Sequence, residues 1–68
     1  MMITILVNEK AIEINPDFNI LQLLVKINFP LDGIAVAVNH SIISKHLWSA
    51  TSLSANDEVL VIQATQGG

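Results

Sequence analysis

The residues best suited to chemistry stand at the end of the chain, Thr65-Gln66-Gly67-Gly68. The free α-carboxylate of Gly68 is a poor electrophile as it stands, because such a group has an ordinary pKa of about 3.3–3.7 and is ionised near neutral pH. Joined to AMP it becomes an acyl adenylate with a good leaving group. A sulfur donor can then displace AMP and leave a thiocarboxylate on Gly68. The chain contains no glycine-rich phosphate loop, so the ATP for this step has to be used by a partner enzyme. Gly67 suits the same chemistry, because a backbone without Cβ atoms threads a narrow channel and adopts conformations closed to other residues. Four extended residues span about 13–14 Å, at roughly 3.3–3.6 Å each. Gln66 and Gly67 are therefore expected to carry the Gly68 carboxylate into a partner's active site while the folded body stays outside.

Nothing inside the chain competes with this reading. There is no nucleophile elbow and no metal motif, so no catalytic and no metal-binding residue is expected. His40 and His46 read as surface residues, since the chain has no cysteine and no acidic cluster that would complete a site. Trp48 reads as a core plug, with partner anchoring as the alternative. The three lysines (Lys10, Lys26, Lys45) are scattered and there is no arginine. Nucleic-acid binding needs clustered cations and is not expected. A net charge of −3 instead suits a basic face on a partner protein. No apolar run reaches the roughly 18 residues of a membrane span, and Met1-Met2-Ile3-Thr4 lacks a basic leader segment. A soluble protein of the cytoplasm, or of an equivalent compartment such as the plastid stroma, is expected.

The elements that must position the tail follow from periodicity. With 68 residues, 51% of them hydrophobic and 13% charged, the chain has the composition of one small packed domain rather than of a disordered segment. Ile3 to Val7 is β-branched and apolar and reads as a strand, and Ala11 to Ile14 alternates as a half-exposed partner strand. Asn15-Pro16-Asp17 ends it. Asn19 and Gln22 form a capping box, with Phe18 and Leu23 as a hydrophobic staple. Ile20, Leu23, Leu24 and Ile27 recur at helical spacing, which predicts a helix ending near Asn28 ahead of Pro30. Ile34 to Val38 reads as a third strand and Ile42-Ile43 as a very short fourth. Ser44 to Ser52 reads as an irregular connection with one helical turn, and Glu58 to Ala64 as the last strand. The two most apolar strands, first and last, are expected side by side in the centre with the helix across one face. This is an α+β, ubiquitin-like β-grasp arrangement with a mixed sheet of four or five strands. Residues 1–64 form the domain and 65–68 a flexible tail. One helix covers one sheet face, so Val59, Leu60, Val61 and Ile62 are expected to be core and also to supply a docking face for partners.

Across nearly its whole length the chain resembles the sulfur carrier proteins of thiamine biosynthesis, the ThiS family. The resemblance rests on the opening hairpin, the Leu21–Val25 helix segment and Ala35-Val36-Ala37-Val38-Asn39. It continues through Ile42-Ile43, Trp48, the turn at Asp57, the apolar last strand and Gly67-Gly68. Two departures stand out. The family often has arginine after the Ile-Ile pair, where this chain has Lys45-His46, and often Gly-Asp where this chain has Asn56-Asp57. The resemblance implies a protein co-substrate rather than an enzyme, with no bound cofactor. An E1-like adenylating enzyme would activate Gly68 with ATP. A cysteine desulfurase or another sulfur donor would supply the sulfur, and thiazole synthase would consume it. A sister carrier for molybdopterin synthesis or tRNA thiolation remains an alternative, as does a β-grasp module that only binds.

Overall fold

The computed structural model describes residues 1–63. The element order is β1 (Ile3–Val7), β2 (Lys10–Ile14), α1 (Ile20–Lys26), β3 (Ile34–Val38), β4 (Ser41–Ile43), a 3₁₀ helix (Lys45–Ala50) and β5 (Glu58–Gln63). The strands form one sheet in the order β2-β1-β5-β3-β4. β5 runs parallel to β1 and antiparallel to β3. The two most apolar strands are therefore neighbours, and β5 lies at the centre of the five. The last strand is described as far as Gln63; Ala64 and the expected tail lie outside the described residues.

Each hairpin turns on two residues with positive φ. Asn8 and Glu9 stand at 50° and 71°, and Asn39 and His40 at 50° and 74°. Two-residue hairpins need this left-handed pair to match the twist of the strands. Asparagine leads both turns because it tolerates the left-handed region better than most residues. Both asparagine side chains then reach across to β5. Asn8 Oδ1 accepts from the Val61 amide at 2.8 Å, which continues the β1–β5 ladder after β1 has turned away. Asn39 Oδ1 accepts from the Glu58 amide at 2.9 Å, and its Nδ2 donates to Asp57 Oδ1 at 3.0 Å.

The helix begins as expected. Asn19 Oδ1 accepts from the Gln22 amide at 2.8 Å and Gln22 Oε1 accepts from the Asn19 amide at 2.9 Å, the reciprocal capping box. Asn19 also donates from Nδ2 to the Ser49 carbonyl at 3.1 Å, which ties the helix start to the 3₁₀ helix. The helix end differs from the expectation in its cause. Asn28 adopts φ 63°. Its amide donates to Val25 O and the Phe29 amide to Leu24 O. This is a Schellman closure, so Asn28 stops the helix two residues before Pro30 has any influence.

The core lies between α1, the 3₁₀ helix and one face of the sheet. Ile5, Val7, Ile14, Val36, Val59 and Val61 come from the sheet, Ile20, Leu23 and Leu24 from the helix, with Trp48 and Leu53 from the connection. Trp48 is 2% exposed and donates from its indole nitrogen to the Ile43 carbonyl at 3.0 Å. It is the core plug, with its polar atom satisfied.

Candidate functional site

Strand register divides β5 between two environments. Successive side chains point to opposite faces of a sheet. Val59 pairs with Val38 and Val61 with Val36 on the helix-covered face, while Leu60 pairs with Ala37 and Ile62 with Ala35 on the other. Val59 and Val61 are buried, so of the four residues expected to form a docking face these two do not. They are core. Leu60 and Ile62 remain 49% and 47% exposed, which places them on the uncovered face.

Sequence reading missed the neighbours that complete this face. Leu6 lies beside Glu58 in the parallel register, and Ile42 lies opposite Ala37 and is 70% exposed. Ala35 and Ala37 lie between the larger side chains. The signal was in the phase of Ala35-Val36-Ala37-Val38. Once Val36 and Val38 face the helix, the two alanines and everything paired with them face outward. The result is a continuous apolar strip from Leu6 across Leu60 and Ile62 to Ala37 and Ile42. Exposed apolar patches are a common feature of protein contact surfaces.

The strip narrows to a groove of about 310 Å³ at the end where the two hairpin turns flank the start of β5. Leu6, Ala37 and Leu60 line it, with Asn8, Glu9, His40 and Glu58 around its rim. His40 Nε2 lies 3.6 Å from Glu58 Oε1. Among the described residues no three His, Cys, Asp or Glu side chains converge to hold a metal ion, and no helix is long and apolar enough to cross a membrane.

The two positions that depart from the family pattern have clear structural roles. Asn56 stands at φ 70°, a backbone conformation that glycine adopts freely and asparagine tolerates. The residue after it, Asp57, accepts the Ser54 amide at 2.7 Å as well as the Asn39 side chain. Lys45 donates a single bond to Asp32 Oδ1 at 2.9 Å. That hydrogen bond, followed by the charge of Lys45, holds the Asp32 carboxyl below its usual range. The pair links the turn before β3 to the 3₁₀ helix, a structural task in which the point donor of lysine suffices.

The residues expected to carry the chemistry, Gln66, Gly67 and Gly68, lie outside the described residues. They continue the chain from Gln63 at the end of the central strand.

Comparison with known proteins agrees with this arrangement. The ThiS family model matches residues 3–68. Among solved structures, the thiamine biosynthesis protein ThiS from Geobacter metallireducens superimposes with a TM-score of 0.83 at 20% identity, covering 97% of this chain and 100% of that one. That likeness establishes the β-grasp fold. No curated protein sequence matches. A family match that runs from the first strand to the last residue settles the affiliation: this chain belongs to the ThiS family, whose members are small sulfur carrier proteins and not enzymes.

Proposed function

We propose that this protein carries sulfur as a thiocarboxylate on Gly68 and donates it for the thiazole ring of thiamine. The observation that carries this reading is the family match that extends through Gly67-Gly68. It is supported by the position of the last strand at the centre of the sheet. An E1-like adenylating enzyme uses ATP to convert the Gly68 carboxylate to an acyl adenylate. Sulfur that originates from a cysteine desulfurase, or from another donor, attacks the acyl carbon and AMP departs. Thiazole synthase then takes the sulfur, and the regenerated carboxylate returns to the cycle. The domain needs no cofactor of its own in this scheme.

The uncovered face gives the partners something to hold. Residues 64–68 reach at most roughly 16–18 Å beyond Gln63 at 3.3–3.6 Å each. A partner that receives Gly68 in its active site must therefore contact the body close to the end of β5. Leu60 and Ile62 border that end on the open face. Docking there buries apolar surface that the chain itself leaves in water, at about 25 cal/mol per Å².

The test is reconstitution. The protein is incubated with the organism's adenylating enzyme, ATP and a sulfur donor, and its intact mass is recorded. Exchange of one oxygen for sulfur, abolished by deletion of Gly68 with no loss of thermal stability, is the expected result. An unchanged mass with active partners refutes the carrier reading. Thiazole formation on adding thiazole synthase assigns the branch; its failure with a loaded carrier points to molybdopterin or tRNA thiolation instead.

A further inference from the structure

We propose that the groove between the two hairpin turns receives one arginine or lysine side chain from the adenylating enzyme. This rests on the docking reading above and extends it. The groove lies at the start of β5, at Glu58, and Gln63 lies at its end, so a partner that receives the tail must run along the open face past Leu60 to fill it. The groove has an apolar floor, Leu6, Ala37 and Leu60, and carboxylates at its rim from Glu9 and Glu58. A long basic side chain matches both parts. Its methylene stem lies along apolar surface while its charged head reaches polar groups, and its N–H donors make charge-assisted bonds to carboxylates.

The two carboxylates are free to accept such a head. Glu9 makes no ion pair among the described residues, and Glu58 has only His40 at 3.6 Å, longer than a direct hydrogen bond. None of the three lysines lines the groove. The occupant is an organic cation rather than a metal ion, because the rim groups Glu9, His40 and Glu58 do not converge as a metal site requires.

The groove is also fixed before any partner arrives. The left-handed turns at Asn8-Glu9 and Asn39-His40 define its two sides. The Asn8 bond to Val61 and the Asn39 bond to Glu58 pin both turns to β5. Little ordering is left to be done on binding, which favours affinity.

The experiment measures the initial rate of loading against carrier concentration at several salt concentrations. It compares the wild type, the double variant Glu9→Gln/Glu58→Gln, and Ile62→Ala, which lies on the open face outside the groove. The expected result for the double variant is a roughly tenfold rise in KM at low salt with kcat unchanged and a flattened salt dependence, as loss of interfacial charge produces. Ile62→Ala should raise KM while leaving the wild-type salt dependence intact. Unfolding curves matching the wild type confirm that the exposed glutamates act on docking rather than on folding. The inference is overturned if the double variant keeps the wild-type KM and salt dependence while Ile62→Ala weakens loading. A wild type that does not load at all overturns the carrier reading and this inference together.

Discussion

The two faces of the sheet use the same kinds of residue for opposite ends. On the inner face Ile5, Ile14, Val36, Val59 and Val61 meet the helix and lose nearly all contact with water. On the outer face Leu6, Leu60, Ile62 and Ile42 are just as apolar, yet the last three stay about half exposed or more. A chain of this size has little stability in reserve. Leaving large apolar side chains in water forgoes part of that reserve. The inner face therefore accounts for folding, and the outer face suits the docking role proposed for it. Alternation along a single strand, β5, is enough to separate the two roles by one residue.

Damage to the inner face should cost the most. Leu24 is fully buried under the sheet, and Leu24→Ala should cost about 2–5 kcal/mol through lost burial and the cavity left behind. Urea denaturation should show that loss as an early midpoint or as no folded baseline. A cost below about 1 kcal/mol would mean the inner face is not the source of stability that the packing implies.

The next largest effect lies at the seam between the hairpin and the central strand. Asn8→Ala removes the acceptor for the Val61 amide and should cost about 1–3 kcal/mol, the penalty of an unpaired buried donor. Asn8→Gly also removes the acceptor but adopts positive φ freely, so it should be about as unstable as the alanine variant. A glycine variant as stable as the wild type in denaturant titrations would show that the turn conformation, not the hydrogen bond, is what matters.

The smallest effect belongs to the exposed Lys45–Asp32 pair. Asp32→Asn should lower the thermal midpoint at neutral pH only slightly, as for most exposed ion pairs. The sign of its pH dependence is fixed. The folded carboxyl titrates below its ordinary value of 3.8, so the pair favours the fold above that value. The contribution disappears as pH falls through the lowered pKa. The wild type and Asp32→Asn should therefore converge in strongly acidic solution, and divergence there would assign Asp32 another partner.

Much of this architecture is legible in the sequence because local rules agree with the tertiary result. The Asn19–Gln22 box, the period of Ile20, Leu23 and Leu24, and the β-branched runs each predict an element that forms. What escapes is information held only in pairing. Val59 to Ile62 is apolar without a break, so its sequence shows no alternation. Its division into core and surface is set by the register against Val36 and Val38. Asn8, Asn39 and Asn56 look like ordinary turn residues. The left-handed backbones of the first two follow from two-residue hairpins that carry no glycine to announce them, and their reach across to β5 depends on a strand distant in sequence. The helix stop falls near the expected residue for a different reason, because Pro30 is a conspicuous signal and a left-handed Asn28 is not. The proposed chemistry is legible only at Gly67-Gly68, and the family affiliation gives that weak local signal its meaning.

The central claim is that the outer face is for contact and adds little to stability. It is tested most directly by the loading rate of Leu60→Ala/Ile62→Ala, measured beside its unfolding free energy. The expected stability lies within about 0.5 kcal/mol per site of the wild type, as for exposed positions, together with at least a tenfold fall in loading efficiency at the adenylating enzyme. A variant that loads like the wild type, or one that loses activity only because it unfolds, would contradict it.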